Sequence, residues 1–338
     1  MGRAMTVLIP LNLNESPYPP LPSVAAALHE WVRNANRYPE FVPDTLRGRV
    51  ADHLGVPGDW VSVGAGATGL AYQVLQAFCP PGGRMLTAVP TFDGYPILAD
   101  LAGVQVDAVP LRADGGTDLV AMAAAIRAET RVVVLCSPHN PTGSVISEPE
   151  LHRFLARVPR DVVVILDQAY FEFADYTPDL HLLLLHHPNV VALRTFSKAH
   201  GLAALRVGYA VGAVQLISKV RRFEVPFAVG SAASLAVPAA LAATDALRQR
   251  VRTVRDERIR LQANLADIGI TSLPSQANHV FVPTERPQQL AGDLVAGGVA
   301  AKVCATPGAL RGVRITVGDT AATDSVIAAL IEDQSVSA

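Results

Sequence analysis

The chain of 338 residues has little of what would take it to a nucleic acid, to a membrane or out of the cell. It has no block of lysine and arginine, and its formal net charge is −2, so polyanions and anionic lipid surfaces are not expected partners. No apolar run approaches the length of a membrane span, and the first residues lack the apolar segment and cleavage site of a signal peptide. We therefore expect a cytoplasmic protein.

Cysteine is also scarce, which excludes a disulfide framework as the basis of the fold. Cys79, Cys136 and Cys304 form an odd, scattered set that suits free thiols in a reducing compartment. The nine histidines lack the spacing of metal ligands, even in "HLLLLHH" (181–187), so we expect no bound metal. Hydrophobic residues, by contrast, make up 50% of the chain, which is typical of a compact globular protein with a large core.

From about residue 60, short runs rich in Val, Ile and Leu alternate with helical segments. The runs that we interpret as strands are "WVSVGAG", "RMLTAVP", "VQVDAVPL", "RVVVLCSP", "DVVVILDQAY", "VVALRTFS" and "RVGYAVG". Stretches such as "ATGLAYQVLQAF" and "SEPELHRFLARV" have helical periodicity and lie between several of them. Apolar strands that alternate with helices predict an α/β fold with a mostly parallel sheet buried on both faces.

The two ends of the chain differ from this central pattern. A segment dense in Pro and Asn precedes the first helix, and after about residue 215 the chain is first helical and then mixed. We predict an N-terminal arm at 1–22 and a large domain mainly at 23–230, whose first helix packs either within it or with the small domain. The remaining residues, 231–338, are predicted to form a small C-terminal α+β domain.

Polar and charged residues directly follow four of the predicted strands. "GAGATGL" follows "VSV", "SPHNPTG" follows "VVVLC", "DQAY" follows "VVVIL", and "RTFSK" follows "VVAL". Ligands of open parallel sheets bind beyond the carboxyl ends of the strands, so these segments predict one common site. Asp167 and Lys198 would be costly to bury unpaired, and a charged cofactor would supply their partners.

Pyridoxal 5′-phosphate satisfies this set of residues. Its aldehyde requires a lysine, and its ring nitrogen requires a carboxylate, because the protonated ring is the electron sink of the reaction. Its phosphate requires the N–H groups of a helix start, hydroxyls and an arginine. "GAGATG" (64–69) also matches the dinucleotide fingerprint G-x-G-x-x-G, but the next strand does not end in the acidic residue that this fingerprint requires. The missing acidic residue disfavours nicotinamide or flavin binding, which we keep as an alternative.

Several motifs, in order, resemble those of the fold-type I aminotransferases that depend on pyridoxal phosphate. They are "LNLNESPYPPLPS", "NRYP", "NPTG", "DQAYFEF", "TFSKAHGLAALRVGY" and "VRITVG", and they span nearly the whole chain. More narrowly, they resemble the branch of histidinol-phosphate and aromatic amino acid aminotransferases. The resemblance implies the type I transferase fold, in which helices flank a mostly parallel sheet in the large domain and a smaller α+β domain follows.

The same resemblance implies a role for each matching residue. Lys198 would bind the cofactor aldehyde covalently and later move a proton, and Asp167 would pair with the ring nitrogen. Tyr38 would reach the phosphate in the neighbouring subunit, which implies a homodimer. The remaining implied roles are Tyr170 and Asn140 at the phenolic oxygen, Ser197, Arg206 and the N–H groups of Ala67 and Thr68 at the phosphate, Phe92 stacked on the ring, and Arg314 at the substrate carboxylate with Asn14 and Asn140 beside the substrate.

The implied activity is amino-group transfer by a ping-pong route, from an amino donor to the cofactor and then to a 2-oxo acid. "VPFAVGSAAS" (225–234) replaces the "FNVN"-like stretch of typical histidinol-phosphate enzymes, which favours Phe or Tyr as donor and 2-oxoglutarate as acceptor. Histidinol-phosphate transamination and decarboxylation of an O-phosphorylated amino acid remain alternatives. A regulatory module without turnover is a further alternative, which the complete set of lysine, aspartate and arginine disfavours.

Overall fold

The computed structural model describes residues 8–336, with side chains described up to residue 331. The predicted arm therefore lies outside the described residues over positions 1–7. The strands are β1 (Ile9–Pro10), β2 (Val61–Gly64), β3 (Arg84–Val89), β4 (Gln105–Pro110), β5 (Thr130–Cys136), β6 (Val163–Asp167), β7 (Val190–Thr195), β8 (Gly208–Gly212), β9 (His279–Pro283), β10 (Val299–Ala300), β11 (Lys302–Cys304) and β12 (Gly312–Thr316). The α-helices are α1 (Pro22–Val32), α2 (Asp44–Leu54), α3 (Gly66–Phe78), α4 (Gly94–Leu101), α5 (Leu119–Ala125), α6 (Glu148–Leu155), α7 (Leu180–His186), α8 (Val214–Arg221), α9 (Ser231–Ala242), α10 (Thr244–Asp267), α11 (Pro287–Ala296) and α12 (Thr320–Val336).

The central sheet has seven strands in the order β2-β8-β7-β6-β5-β3-β4. β8 pairs antiparallel with both of its neighbours, and the other pairs are parallel. This confirms the mostly parallel sheet that the sequence predicted. In register, Asp167 at the end of β6 lies opposite Cys136 of β5 and Leu193 of β7, so the carboxyl ends of these strands share one edge.

Both faces of the central sheet are covered, which explains the continuous apolar strands. Alternate residues of β5 point to opposite sides, so that Val133 and Leu135 join one core while Val132 and Val134 join the other. The first core is closed by α2, α5, α6, α7 and α9, and the second by α3, α4 and α8. Full burial of one such side chain contributes about 1.5–3 kcal/mol to stability relative to exposure.

A three-stranded antiparallel sheet, β11-β12-β9, packs with α10, α11 and α12 around a third core. The arm joins this part of the chain, because β1 pairs in parallel with β10. Helix α9 packs against α1, and its Ala236 and Val237 lie in the core beside the central sheet. We therefore propose that the large domain extends through α9 rather than ending at residue 230; the domain boundaries remain a prediction.

The described residues show neither a membrane-spanning helix nor a cluster of metal ligands. None of the helices found between residues 8 and 336 is both long and apolar enough to cross a membrane. In the same part of the chain, no group of three or more His, Cys, Asp or Glu residues is arranged to hold a metal ion.

Candidate active site

A cavity of about 350 Å³ opens at the carboxyl edge of the central sheet. The arm contributes Asn12, Leu13 and Glu15 to its wall, and the small sheet contributes Lys302 and Cys304. Every site residue predicted from the sequence lies in this wall except Tyr38: Asn14, Ala67, Thr68, Phe92, Asn140, Asp167, Tyr170, Ser197, Lys198, Arg206 and Arg314. The structure thus brings the predicted residues together, and their individual roles remain predictions.

Lys198 follows the end of β7 and extends into the cavity. Its Nζ donates a hydrogen bond to the carbonyl oxygen of Leu13 at 3.1 Å and lies 5.8 Å from the centroid of the Tyr170 ring. Burial, and to a lesser extent the nearby charge of Arg314, lower the pKa of this amine to about 8. An amine with that pKa is partly unprotonated near neutral pH, so it can act as a nucleophile and as a base.

Asp167 ends β6 on the floor of the cavity. Its Oδ2 accepts a hydrogen bond from the Tyr95 hydroxyl at 2.6 Å, and its Oδ1 accepts one from the N–H of Ala169 at 3.0 Å. Burial raises the pKa of this carboxyl, while the two hydrogen bonds and the charge of Lys198 act in the opposite direction. A cationic group bound in the cavity would therefore stabilise the carboxylate form.

Tyr95 was missed by the sequence analysis. It lies in α4, is almost fully buried, and packs edge-to-face against Phe92, with the ring centroids 5.8 Å apart. A buried tyrosine hydroxyl usually has a hydrogen-bond partner, which was the available signal. The sequence could not identify that partner, since Asp167 is 72 residues away.

An anion cradle lies where α3 begins. Ala67 and Thr68 occupy the first turn of this helix, whose N–H groups have no partner within the helix. Ser197 and Arg206 face the same cavity. Gly66 has a φ of +75°, and a Cβ added there would come within 2.8 Å of Arg206 Nη2, so only glycine lets the arginine approach the helix start.

Arg314 projects from β12 into the cavity wall. Its Nη1 donates to Asn140 Oδ1 at 2.6 Å, and its Nη2 donates to the carbonyl oxygen of Asn12 at 2.5 Å. Its Nε is buried and has no hydrogen-bond partner among the described residues. An arginine with an unused buried donor that faces a cavity suits an anionic group of a ligand.

Asn14 is held by contacts that the sequence did not predict. It is buried and has a φ of +53°, and its Nδ2 lies 2.9 Å from the Tyr170 hydroxyl and 3.0 Å from His279 Nδ1. Its backbone N–H donates to Thr316 Oγ1 at 3.0 Å. His279 and Thr316 are therefore adjacent to the site, although neither was assigned a role from the sequence: Thr316 lies in the motif "VRITVG", and His279 lies in no motif.

Tyr38 does not reach the cavity of its own chain. Its side chain is 85% exposed, and its ring centroid lies 5.1 Å from that of Phe227. Phe41 packs edge-to-face on the same phenylalanine at 5.2 Å. The predicted contact with a neighbouring subunit remains a prediction.

These features define an enzyme active site: a reactive amine, a buried carboxylate and an anion cradle lie together at the carboxyl edge of a sheet in an α/β fold. A model of the family "Aminotransferase class I and II" matches residues 6–330. The chain belongs to this family, and it is an aminotransferase with the type I fold that the sequence resemblance predicted.

Individual relatives agree with this family. The chain is 42% identical over 330 residues to the aromatic amino acid aminotransferase of Corynebacterium glutamicum (strain R), which covers 97% of this chain and 94% of that protein. It is 41% identical over 325 residues to the enzyme of the same name from Cutibacterium acnes, with coverages of 95% and 91%. The crystal structure of histidinol-phosphate aminotransferase from Sinorhizobium meliloti in complex with pyridoxal-5'-phosphate matches with a TM-score of 0.91 at 28% identity, covering 98% and 92% of the two chains.

Proposed function

We propose that this chain is an aromatic amino acid aminotransferase that binds pyridoxal 5′-phosphate. It would transfer the amino group of phenylalanine or tyrosine to 2-oxoglutarate by a ping-pong route. The observation that carries the proposal is the single cavity in which Lys198, Asp167 and Arg314 meet. The names of the relatives support the choice of substrate.

The residues of the cavity fit this cofactor. The glycine at 66 leaves room for Arg206 at the helix start, where a phosphate would be held, and Asp167 lacks a cationic partner in direct contact among the described residues. Tyr170 and Asn140 would hold the phenolic oxygen. When bound, the cofactor supplies an aldehyde that combines with amines and a protonated ring that accepts electrons.

The chain itself would bind, orient and transfer protons. Arg314 would hold the substrate carboxylate through its guanidinium, which its contacts with Asn140 and Asn12 fix in place. Lys198 would carry the proton that leaves the substrate carbon, because its low pKa makes the free amine available. General base catalysis by such a positioned amine contributes about 10²- to 10⁴-fold to the rate.

An ion pair in the cavity wall favours an aromatic side chain over a phosphorylated one. Lys302 Nζ lies 2.6 Å from Asp93 Oδ2, so the charge of this lysine is already neutralised. A phosphate dianion entering there would meet the carboxylate of Asp93 as well as the amine. An uncharged ring has no such cost.

A panel of amino donors tests the substrate. With 2-oxoglutarate as acceptor, phenylalanine and tyrosine are expected to exceed histidinol phosphate in kcat/KM by about 10²-fold or more, equivalent to roughly 3 kcal/mol of transition-state binding. Steady-state kinetics with the purified holoenzyme measure the ratio. A higher kcat/KM for histidinol phosphate would overturn the substrate assignment and leave aminotransferase chemistry intact. Release of carbon dioxide from an O-phosphorylated amino acid would overturn both.

We further propose that the active form is a homodimer in which Tyr38 reaches the neighbouring site. Tyr38, Phe41 and Phe227 form a patch of exposed aromatic side chains on one surface. Exposed apolar patches of this kind are typical of interaction sites. Association of two copies would cover the patch.

Substitution of Arg314 tests the carboxylate site. Arg314→Lys is expected to raise KM for both the amino acid and the 2-oxo acid by about 10- to 100-fold, because lysine cannot form the paired hydrogen bonds of a guanidinium. Cofactor binding should persist, which absorbance measurements report. Arg311→Ala is the matched control, since Arg311 is near in sequence but pairs loosely with the exposed Glu285. Equal KM increases in the two variants would reject the role of Arg314.

A further inference from the structure

His279 is a buried histidine that lies directly behind the cavity. It begins β9, where it pairs in register with Thr316 of β12. Its ring is fully buried and packs edge-to-face on Tyr170, with the ring centroids 5.0 Å apart. It does not line the cavity, so it has no direct contact with a ligand there. The hydrogen-bond contact of its ring is with Asn14.

Thr316 fixes the orientation of the Asn14 amide. The Thr316 hydroxyl accepts the backbone N–H of Asn14 at 3.0 Å and donates its one hydrogen to Asn14 Oδ1 at 3.1 Å. The amide nitrogen of Asn14 therefore faces the opposite side, toward Tyr170 and His279. An amide nitrogen has two hydrogens and cannot accept, so both contacts use it as donor.

His279 can receive one of these hydrogens only if its Nδ1 is unprotonated. The Asn14 amide selects that form, because its nitrogen can only donate and lies 3.0 Å from Nδ1. Nε2 is buried and has no hydrogen-bond partner among the described residues, so no bond there opposes this form. Burial lowers the pKa of His279 far enough to keep the ring neutral. The hydrogen thus stays on Nε2, and Nδ1 is an acceptor.

The orientation of the Asn14 amide determines whether the Tyr170 hydroxyl donates or accepts. Its hydroxyl oxygen accepts the second Asn14 hydrogen at 2.9 Å, so it cannot donate its own hydrogen to Asn14. Within the described residues, no protein acceptor for that hydrogen is found. Tyr170 lines the cavity, so we infer that this hydrogen is available to a ligand there.

We propose that His279 is a positioning residue that, through Asn14, commits the Tyr170 hydroxyl to donate its hydrogen into the cavity. The inference deepens the proposed function and rests on it, since the acceptor would be the phenolic oxygen of the cofactor. His279, together with Thr316, sets which way the Asn14 amide faces. Tyr170 then stabilises the deprotonated form of the bound phenolic oxygen.

The pH midpoint of the visible absorption change of the enzyme loaded with pyridoxal 5′-phosphate tests this role. His279→Phe keeps a ring but removes the acceptor, and it is expected to raise the midpoint by about 0.5–1 pH unit, the size of one hydrogen bond. His279→Asn places an acceptor near the position of Nδ1 and should restore the wild-type midpoint. If His279→Phe does not fold, Thr316→Val is the second variant. It removes the hydroxyl that binds the amide oxygen of Asn14, and the midpoint should rise in the same way.

Controls separate positioning from general damage. In a Tyr170→Phe background, His279→Phe should cause no additional shift, because the group through which it acts is absent. His200→Leu removes another buried histidine, which contacts Glu172 and Phe196 instead, and should leave the midpoint unchanged.

Two results would overturn the inference. One is an unchanged or lowered midpoint in both His279→Phe and Thr316→Val, as expected if the amide faces the other way and Tyr170 donates to Asn14. The other is an equal rise in the Tyr170→Phe background. If the wild-type enzyme itself shows no visible absorption with the cofactor, the proposed function fails, and this inference fails with it.

Discussion

Lys198→Ala is expected to abolish amino-group transfer and covalent attachment of the cofactor. Turnover should fall by at least about 10⁴-fold, because one substitution removes both the nucleophile and the base. Mass spectrometry after borohydride reduction measures the attachment: in the wild-type protein, the added mass should lie on the peptide that contains Lys198. The cavity itself should persist, since the alanine side chain leaves the strands around it intact.

Lys302→Ala is the matched control, because Lys302 is another lysine of the same cavity wall. It should keep the covalent attachment on Lys198. Covalent attachment that survives in Lys198→Ala, or that is lost in Lys302→Ala, would contradict the assignment of Lys198.

The pKa of Lys198 adds a pH dependence to the same experiment. With a pKa of about 8, roughly a tenth of the amine is unprotonated at pH 7, compared with about one part in 3,000 at the ordinary value of 10.5. The rate at which the apoenzyme takes up the aldehyde covalently should therefore rise about tenfold per pH unit below pH 8 and level off above it. A rate that keeps rising to pH 10 would show that burial does not lower this pKa.

The central sheet could be predicted from sequence because most of its strands are buried on both faces, although the edge strand β4 is partly exposed. Burial of both faces produces runs such as "VVVIL", which differ from the alternating pattern of a half-exposed strand. The same runs located Asp167 and Lys198, since Asp167 is the last residue of β6 and Lys198 lies shortly after the end of β7. The direction of β8 could not be predicted in this way, because an antiparallel strand buried on both faces has the same composition.

The contacts around the predicted residues required the structure. Thr316 and Asn14 are 302 positions apart, and His279 in "ANHVFVP" has the pattern of an ordinary core residue in an apolar strand. Nothing local distinguishes a histidine that orients an asparagine from one that only fills space. Such roles depend on which strands are paired, and β9 and β12 bring Thr316 opposite His279.

The N-terminal arm makes more contacts with the cavity side chains than the sequence predicted. Its three consecutive residues Asn12, Leu13 and Asn14 contact Arg314, Lys198 and Tyr170 respectively. Two of these contacts use backbone carbonyl oxygens, which no sequence motif can reveal. The arm thus holds three of the cavity's functional side chains at once, and its pairing with β10 connects it to the small sheet.

Asp167→Asn is expected to lower turnover by about 10²- to 10³-fold while the covalent attachment to Lys198 remains. Asparagine keeps the size of the side chain but removes the charge that would hold the ring nitrogen of the cofactor in its protonated form. Asp167→Glu should recover part of the activity, since it restores the charge at a displaced position. The measurement is kcat per bound cofactor, so that weaker cofactor binding does not count as slower chemistry.

Two comparisons make the role of this charge specific. Tyr95→Phe removes the 2.6 Å hydrogen bond to Asp167 but leaves the carboxylate, so its loss of turnover should be about tenfold or less. The charge of Asp167 also raises the pKa of Lys198 slightly, so its removal should speed covalent uptake at pH 7 rather than slow it. Faster attachment together with slower turnover is a combination that general damage to the cavity does not produce. An Asp167→Asn enzyme with more than half of the wild-type kcat would show that the reaction does not depend on this carboxylate.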